Sequence, residues 1–268
     1  MLGITGAATK RKKRSPLKAP PLRTPGQSLE GRLDDVLQDK VQFWLLYAGL
    51  FPFLAGLEWA RRYFAWPPQP IAWSIGAVPI ALIAAWRIRG ARNELRCLRL
   101  AINGEKAVGQ FLESFREMGY NVFHDILADG FNLDQVLIGP GGVFAIETKT
   151  ISKPAIGPAA ITYDGEQVLI DGHSSDRDPV IQAKATASHL RAVLEQSTGK
   201  KSLRVRPVVL YPGWYVEKQP KGVDVWVLNP KALKAFLEHE RPDLSTEDVS
   251  LLAYHLSRHV RESERRRR

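Results

Sequence analysis

The sequence predicts an α/β sandwich preceded by a two-helix membrane hairpin. Two apolar stretches, residues 41–57 and 71–86, run for 17 and 16 residues without a charged side chain. From residue 103 onward, short Val-, Ile- and Leu-rich segments alternate with amphipathic helical ones. The two apolar stretches are flanked by positive charge. Nine Lys or Arg fall in residues 1–40 and five in 87–100, against only Arg61 and Arg62 between the stretches.

Residues 1–40 form a basic arm. The arm is expected to be disordered, since its first thirty or so residues are rich in Lys, Pro and Gly and poor in apolar residues. Lys10 to Arg14 are a basic run within it. Residues 41–86 are the hairpin. Its stretches fall just short of the roughly 20 residues a spanning helix needs. Trp59, Tyr63, Phe64 and Trp66 extend them where an interfacial belt would lie. Pro52 and Pro79 are tolerable in membrane helices. A buried hairpin of a soluble domain, or a pair dipping into one leaflet, is the alternative. Ala77, Ala81 and Ala85 make a small-residue stripe suited to packing on the first span or between chains, as in a homo-oligomer. The charge asymmetry puts both termini in the cytoplasm, here of the bacterial inner membrane.

Residues 87–102, with Arg87, Arg89, Arg92, Arg96 and Arg99, read as a basic juxtamembrane helix. It either lies on anionic lipid headgroups or continues the second span. The soluble domain covers residues 103–230. It opens with a helix over 105–118, apolar at Ala107, Val108, Phe111, Leu112 and Phe115, and stopped by Gly119. Residues 161–171 alternate around Asp164-Gly165 as a small hairpin. A polar loop over 176–178 leads to Pro179, which opens a helix to about Gln196 before Gly199. Residues 205–210 and 223–228 read as buried strands. Residues 231–268 hold two closing helices, 231–239 and 246–260, and an Arg-rich tail.

The single cysteine, Cys97, excludes an intrachain disulfide and suits a reducing compartment. The net charge of +10 fits nucleic acid or anionic lipid without distinguishing them. His255 and His259 share a helical face but lack the Glu of a zinc-protease motif. Gly139-Pro140-Gly141-Gly142 lacks the Gly-Lys-Ser/Thr ending of a phosphate loop. Trp214 and Tyr215 follow Pro212-Gly213, as a packed loop or as rings for a base to stack on.

The chemistry concentrates in residues 133–149. Two apolar runs flank Gly139-Pro140-Gly141-Gly142, so the segment reads as a β-hairpin. With those four residues as the loop, Ile138 faces Val143, Val136 faces Ala145, Asp134 faces Glu147 and Asn132 faces Lys149. Like charges directly opposed on a sheet are destabilising. Asp134 and Glu147 therefore call for a cation between them. Mg²⁺ prefers one or two carboxylates plus substrate phosphate. Lys149 points to the same side as Glu147 because strand side chains alternate. A metal that activates water, beside a lysine that orients it or stabilises charge, suits phosphodiester hydrolysis. The bland alternative is an edge hairpin whose polar end is only solvated.

These segments, in this order, resemble the NERD (nuclease-related) domain of the PD-(D/E)xK nuclease superfamily. The likeness runs from Gly104-Glu105 through the Asp134 strand and the strand ending in Glu147-Thr148-Lys149. It continues through Asp178-Pro179-Val180-Ile181-Gln182 to the strand at 205–211 and ends near Val227. It implies a restriction-endonuclease-like fold and metal-dependent cleavage of nucleic acid, with Mg²⁺ or Mn²⁺ as cofactor. Asp134 and Glu147 would be metal ligands and Lys149 the catalytic lysine. Glu105 would be a helix-borne acid near the metal, and Gln182 an accessory polar group. Thr150 stands where the family often has Asn, and Asp178 where Asn often precedes the Pro. The function implied is a membrane-anchored nuclease facing the cytoplasm, acting on DNA in preference to RNA. The alternatives are a non-catalytic docking module for nucleic acid or protein on the same fold, and a membrane scaffold.

Overall fold

The computed structural model describes residues 22–64, 70–128, 131–154, 160–174, 178–217 and 219–267. The Lys10 to Arg14 run, Trp66, residues 176 and 177 and Arg268 lie outside these residues.

Helix α1, Gln27–Leu37, passes through a π-helical turn, Gln38–Gln42, into α2, Phe43–Tyr63. Helix α3, Pro70–Glu113, returns alongside them. At 1.5 Å per residue its 44 residues span about 66 Å. Two helical stretches, Gln27–Tyr63 and Ser74–Met118, are long and apolar enough to cross a membrane, and only 6 % and 17 % of their apolar windows are buried within the chain. The apolar stretches are therefore not core helices of the α/β part.

Two expectations are corrected here. The arm over residues 1–40 is not wholly disordered, because Gln27–Leu37 is helical and packs on α3. The boundaries drawn at 86 and 102 fall inside one unbroken helix. Apolar, basic and amphipathic segments follow one another there, but no residue breaks the backbone between them.

The small-residue stripe also differs. Between residues 74 and 100 of α3 the buried positions are Ala77, Ala84, Ala91 and Leu98, while Ala81 is half-buried and Ala85 is exposed. That is a seven-residue repeat, the period that keeps one seam facing a partner helix in a left-handed pair. The partner is the α1–α2 arm. Ion pairs from Lys40 to Glu94 at 2.6 Å and Lys106 to Glu30 at 2.5 Å pin the register.

A 3₁₀ turn, Ser114–Met118, ends α3, and Gly119 closes it at φ 83°. Then come β1 (Asn121–Leu127), β2 (Asn132–Gly139), β3 (Gly142–Thr148), β4 (Ala160–Tyr163), β5 (Val168–Ile170) and β6 (His173–Ser174). Helix α4 (Pro179–Thr198) precedes β7 (Val205–Leu210), β8 (Tyr215–Val216) and β9 (Trp226–Leu228), and α5 (Pro230–His239) and α6 (Thr246–Arg267) close the fold. The chain is mixed α/β with two mixed sheets. The larger has strand order β1-β2-β3-β7-β9, antiparallel as far as β3 and parallel beyond. The smaller has order β6-β5-β4-β8.

Helices cover both faces of the larger sheet. On one, Val136, Ile138, Val143 and Ala145 pack with Leu190 of α4 and Leu252 of α6. On the other, Leu137, Phe144 and Ile146 pack with Val108 and Leu112 of α3 and Leu233 of α5. Alternating side chains of β2 and β3 thus feed two cores, as the period of two requires. Covered strands lose the polar alternation of a half-exposed sheet, and β1 went unread in the sequence for that reason. The strand read over 223–228 shortens to Trp226–Leu228.

Candidate active site

The β2–β3 hairpin sets the geometry. Its turn is shorter than the four-residue loop expected. Gly139 pairs with Gly142 and only Pro140-Gly141 bridge them, with Gly142 at φ 118°. The register is as read: Ile138 faces Val143 and Val136 faces Ala145. Continued outward, it sets Asp134 across from Glu147. The regular ladder stops at Gln135↔Ile146. Beyond it, an Asp134 Oδ2 atom replaces the backbone partner and accepts the Thr148 N–H at 2.8 Å. Thr148 Oγ1 donates to Gln135 Oε1 at 2.9 Å, fixing the strand end from the opposite face. Asn132, expected opposite Lys149, pairs with Leu127 of β1 instead, because the β2–β3 ladder has already ended.

The Lys149 N–H donates to the Leu210 carbonyl at 2.9 Å, so the residue continues the line of β3 beside β7. Its side chain lies on the Glu147 side, with Nζ 2.7 Å from Glu147 Oε1. Gln182 arrives from the first turn of α4. Asp178 caps that helix by accepting from Val180 N–H at 2.8 Å, and Pro179 takes an early position where a missing N–H costs nothing. Gln182 Nε2 donates to Glu147 Oε1 at 2.6 Å, and Lys149 Nζ donates to Gln182 Oε1 at 2.8 Å. Glu147, Lys149 and Gln182 therefore close a hydrogen-bonded triangle.

Glu105 comes from α3, whose approach depends on Gly104. A Cβ there would lie 1.7 Å from Thr150 Oγ1. Glu105 is buried and accepts a backbone N–H from Gly26. Burial first, then the charges of Asp125 and Glu147, push its pKa up to about 7. The Asp134 carboxyl, crowded by protein, is held well above its ordinary range by burial and by Glu147 and Glu105. Burial also raises Glu147, against the opposing pull of Lys149.

The structure thus brings Asp134, Glu147, Lys149 and Gln182 together and sets Glu105 close by. Among the described residues no three His, Cys, Asp or Glu side chains form a single ligand cluster, while Glu105 lies near enough to feel the charge of Glu147 and to raise Asp134. The donor chemistry fits a hard cation. Two carboxylates supply oxygen ligands only, and Glu147 Oε2 is buried without a hydrogen-bond partner. His255 and His259 belong to no such cluster. Trp214 is buried and donates Nε1–H to the Ile151 carbonyl at 3.0 Å, so it is a packed loop residue. Tyr215 beside it is exposed.

Sequence reasoning missed Asp125. It is buried in β1 with a positive φ of 48° and accepts hydrogen bonds from Arg23 and Ser28. The signal was present, since one carboxylate interrupts Val122, Phe123, Ile126 and Leu127.

Residues 101–212 match the family model described as the nuclease-related domain, NERD. The match starts four residues before Glu105, ends just past β7, and includes all five residues singled out from the sequence. It covers somewhat under half of the 268-residue chain. No curated protein and no solved structure gives a match.

Proposed function

We propose that this chain is a membrane-anchored, cytoplasm-facing nuclease of restriction-endonuclease-like fold, hydrolysing nucleic-acid phosphodiesters with Mg²⁺ or Mn²⁺. DNA is the substrate proposed ahead of RNA. The observation that carries the reading is the Glu147–Lys149–Gln182 triangle set beside Asp134, within a segment that matches a nuclease-related family. The exposed apolar helices and the basic residues at their ends support the membrane anchor.

In this reading Asp134 and Glu147 hold the cation, with Glu105 adding negative field. A bound divalent ion would polarise the phosphoryl oxygen and lower the pKa of a water. Gln182 fixes the Glu147 carboxylate and the Lys149 ammonium at once, so neither needs to reorganise as the substrate arrives. Lys149 orients the attacking water and stabilises the charge that develops on the phosphoryl oxygens. The buried, hydrogen-bonded setting is what makes such a cation effective, because charge stabilisation is stronger where water is excluded.

The test uses the intact chain in lipid nanodiscs, because α3 runs unbroken through residue 103. Parent protein should cut nucleic acid with Mg²⁺ or Mn²⁺ and stop on chelation. Asp134→Asn and Glu147→Gln should lose calorimetric Mn²⁺ binding. Lys149→Ala should keep substrate binding in Ca²⁺ within several-fold while cleavage falls about 10²-fold or more. Lys149→Arg should rescue little, because a planar guanidinium does not replace a compact ammonium. Absence of metal-dependent cleavage on every DNA and RNA tried would replace this reading with the docking module.

A further inference from the structure

The Asp125 tie lies outside everything the nuclease reading uses. By register His124 faces Gln135 and Ile126 faces Leu133, and the ladder is interrupted between them at Asp125 and Asp134. The Asp125 charge instead lies close enough to Glu105 to raise it. Asp125 is bound by the segment that precedes the first apolar helix. Asp125 Oδ2 accepts from Arg23 Nε at 2.8 Å and Nη2 at 2.6 Å, and from Ser28 N–H at 2.8 Å and Oγ at 2.9 Å. Both partners are enclosed, with side chains 12 % and 4 % exposed. The left-handed φ of Asp125 is uncommon for any residue but Gly and persists only where its surroundings fix it.

The same segment grips α3. Gly26, at φ 75°, begins α1 and donates its N–H to the Glu105 carboxylate. Pro25 lies against Gly109, where a Cβ would come within 2.3 Å of Pro25 Cγ. Arg23 also reaches Glu264 of α6, with Nη1 3.5 Å from Oε1. One short stretch therefore contacts β1, α3 and α6, and two of its contacts are carboxylates at the candidate site.

We infer that segment 23–28 is a positioning element of the carboxylate site: Arg23 and the start of α1 hold Asp125 and Glu105 in the places from which Asp134 and Glu147 bind a divalent cation. This rests on the nuclease reading for the cation and on the hydrogen bonds above for the positioning. Without Arg23, the buried Asp125 carboxylate, whose charge already raises Glu105, would lose its balancing cation. Groups that hold a ligand's neighbours in this way typically contribute 10–100-fold to metal affinity.

Arg23→Ala alone would leave a buried carboxylate unpaired and endanger the fold. The test is the paired change Arg23→Met with Asp125→Asn, which removes both charges and keeps most of the volume, with Asp134→Asn as a metal-site control. All are made in the full chain in nanodiscs. Two readouts are taken: Mn²⁺ affinity by calorimetry, and metal-free deuterium uptake over residues 102–109 and 145–150. The expected result is about 10–100-fold weaker Mn²⁺ binding and faster exchange at 102–109, with the melting temperature still showing a cooperative fold. Unchanged affinity together with unchanged exchange overturns the inference. Tighter Mn²⁺ binding or faster cleavage overturns it too, because the segment would then be a cover. If the parent binds no Mn²⁺, the nuclease reading falls. Exchange at 102–109 then decides the positioning by itself, with faster exchange upholding it and unchanged exchange overturning it.

Discussion

Gly104→Ala separates the geometry described here from helix propensity alone. In a helix interior, Ala is favoured over Gly by about 1 kcal/mol, so an unobstructed site would gain stability. The structure predicts the opposite sign. The new Cβ would lie 1.7 Å from Thr150 Oγ1, 2.7 Å from its Cβ and 2.8 Å from its Cγ2. Rotating Thr150 clears the hydroxyl but not the Cβ, so α3 or the β3 end must move. Overpacking of this kind costs about 1–3 kcal/mol. Set against the propensity gain of about 1 kcal/mol, the net loss reaches about 2 kcal/mol, and at roughly 2–4 °C per kcal/mol the melting temperature should fall by up to about 8 °C. Activity should fall further than stability. Glu105 is the next residue and Lys149 adjoins Thr150, and a displacement of about 1 Å can cost 10²-fold in rate. Thr150→Gly removes the obstructing atoms and should restore much of both losses in the double variant. The measurements are thermal unfolding and cleavage on the four-member cycle. A Gly104→Ala protein that melts at or above the parent and cuts as fast would refute the contact. A Thr150→Gly change with no compensating effect would refute its attribution.

Two further outcomes follow from charge. The folded chain holds Glu105 up to about 7 against an ordinary value of 4.5, chiefly by burial. Its protonated form is favoured by folding, so that contribution is full below about pH 4.5 and lost as pH rises through 7, a change on the order of 3 kcal/mol. The raised Asp134 and Glu147 act in the same sense. Metal-free protein should therefore melt lower at pH 8 than at pH 5, Glu105→Gln should flatten the slope, and Mg²⁺ should restore stability at pH 8; a slope unchanged in Glu105→Gln contradicts this. Reporter fusions at the N-terminus, after residue 66 and at the C-terminus should read inside, outside, inside, and an inside signal at 66 would favour a re-entrant pair.

The β2–β3 hairpin was legible because its information is local. Alternation sets which side chains share a face, and the glycines set the turn, so the Asp134–Glu147 opposition followed before any coordinates. The error of loop length left the register intact, since Gly139 and Gly142 pair symmetrically about Pro140-Gly141. Gln182 was legible through the Pro179 helix start. What was illegible depends on partners distant in sequence. Leu29, Leu33 and Val36 carry a helical spacing, but α1 is mostly polar and gains its stability by lying on α3. β1 hides because both faces are covered. Asp125 could be seen as an anomaly, yet its partner Arg23 is 102 residues away. The buried line of Ala77, Ala84 and Ala91 needs the partner helix to select a period of seven over four.

The two parts of this chain are therefore not separable in the way its composition suggests. From Arg87 to Glu105, α3 runs about 27 Å as one helix, so Glu105 is carried on the same rod as the second apolar stretch. The other rod, α1 into α2, brings Gly26 and Ser28 to the same carboxylates from the opposite end of the sequence. A fragment beginning at residue 103 would keep Asp134, Glu147, Lys149 and Gln182. It would lose Arg23, the Gly26 amide and the helical turn that precedes Glu105. Inactivity of such a fragment would say little about the chemistry of the triangle, because the missing contacts are the ones that hold Glu105 and Asp125. Activity in the fragment at the parent's rate and metal dependence would show instead that the triangle and Asp134 suffice without the contacts that Arg23 and Gly26 supply.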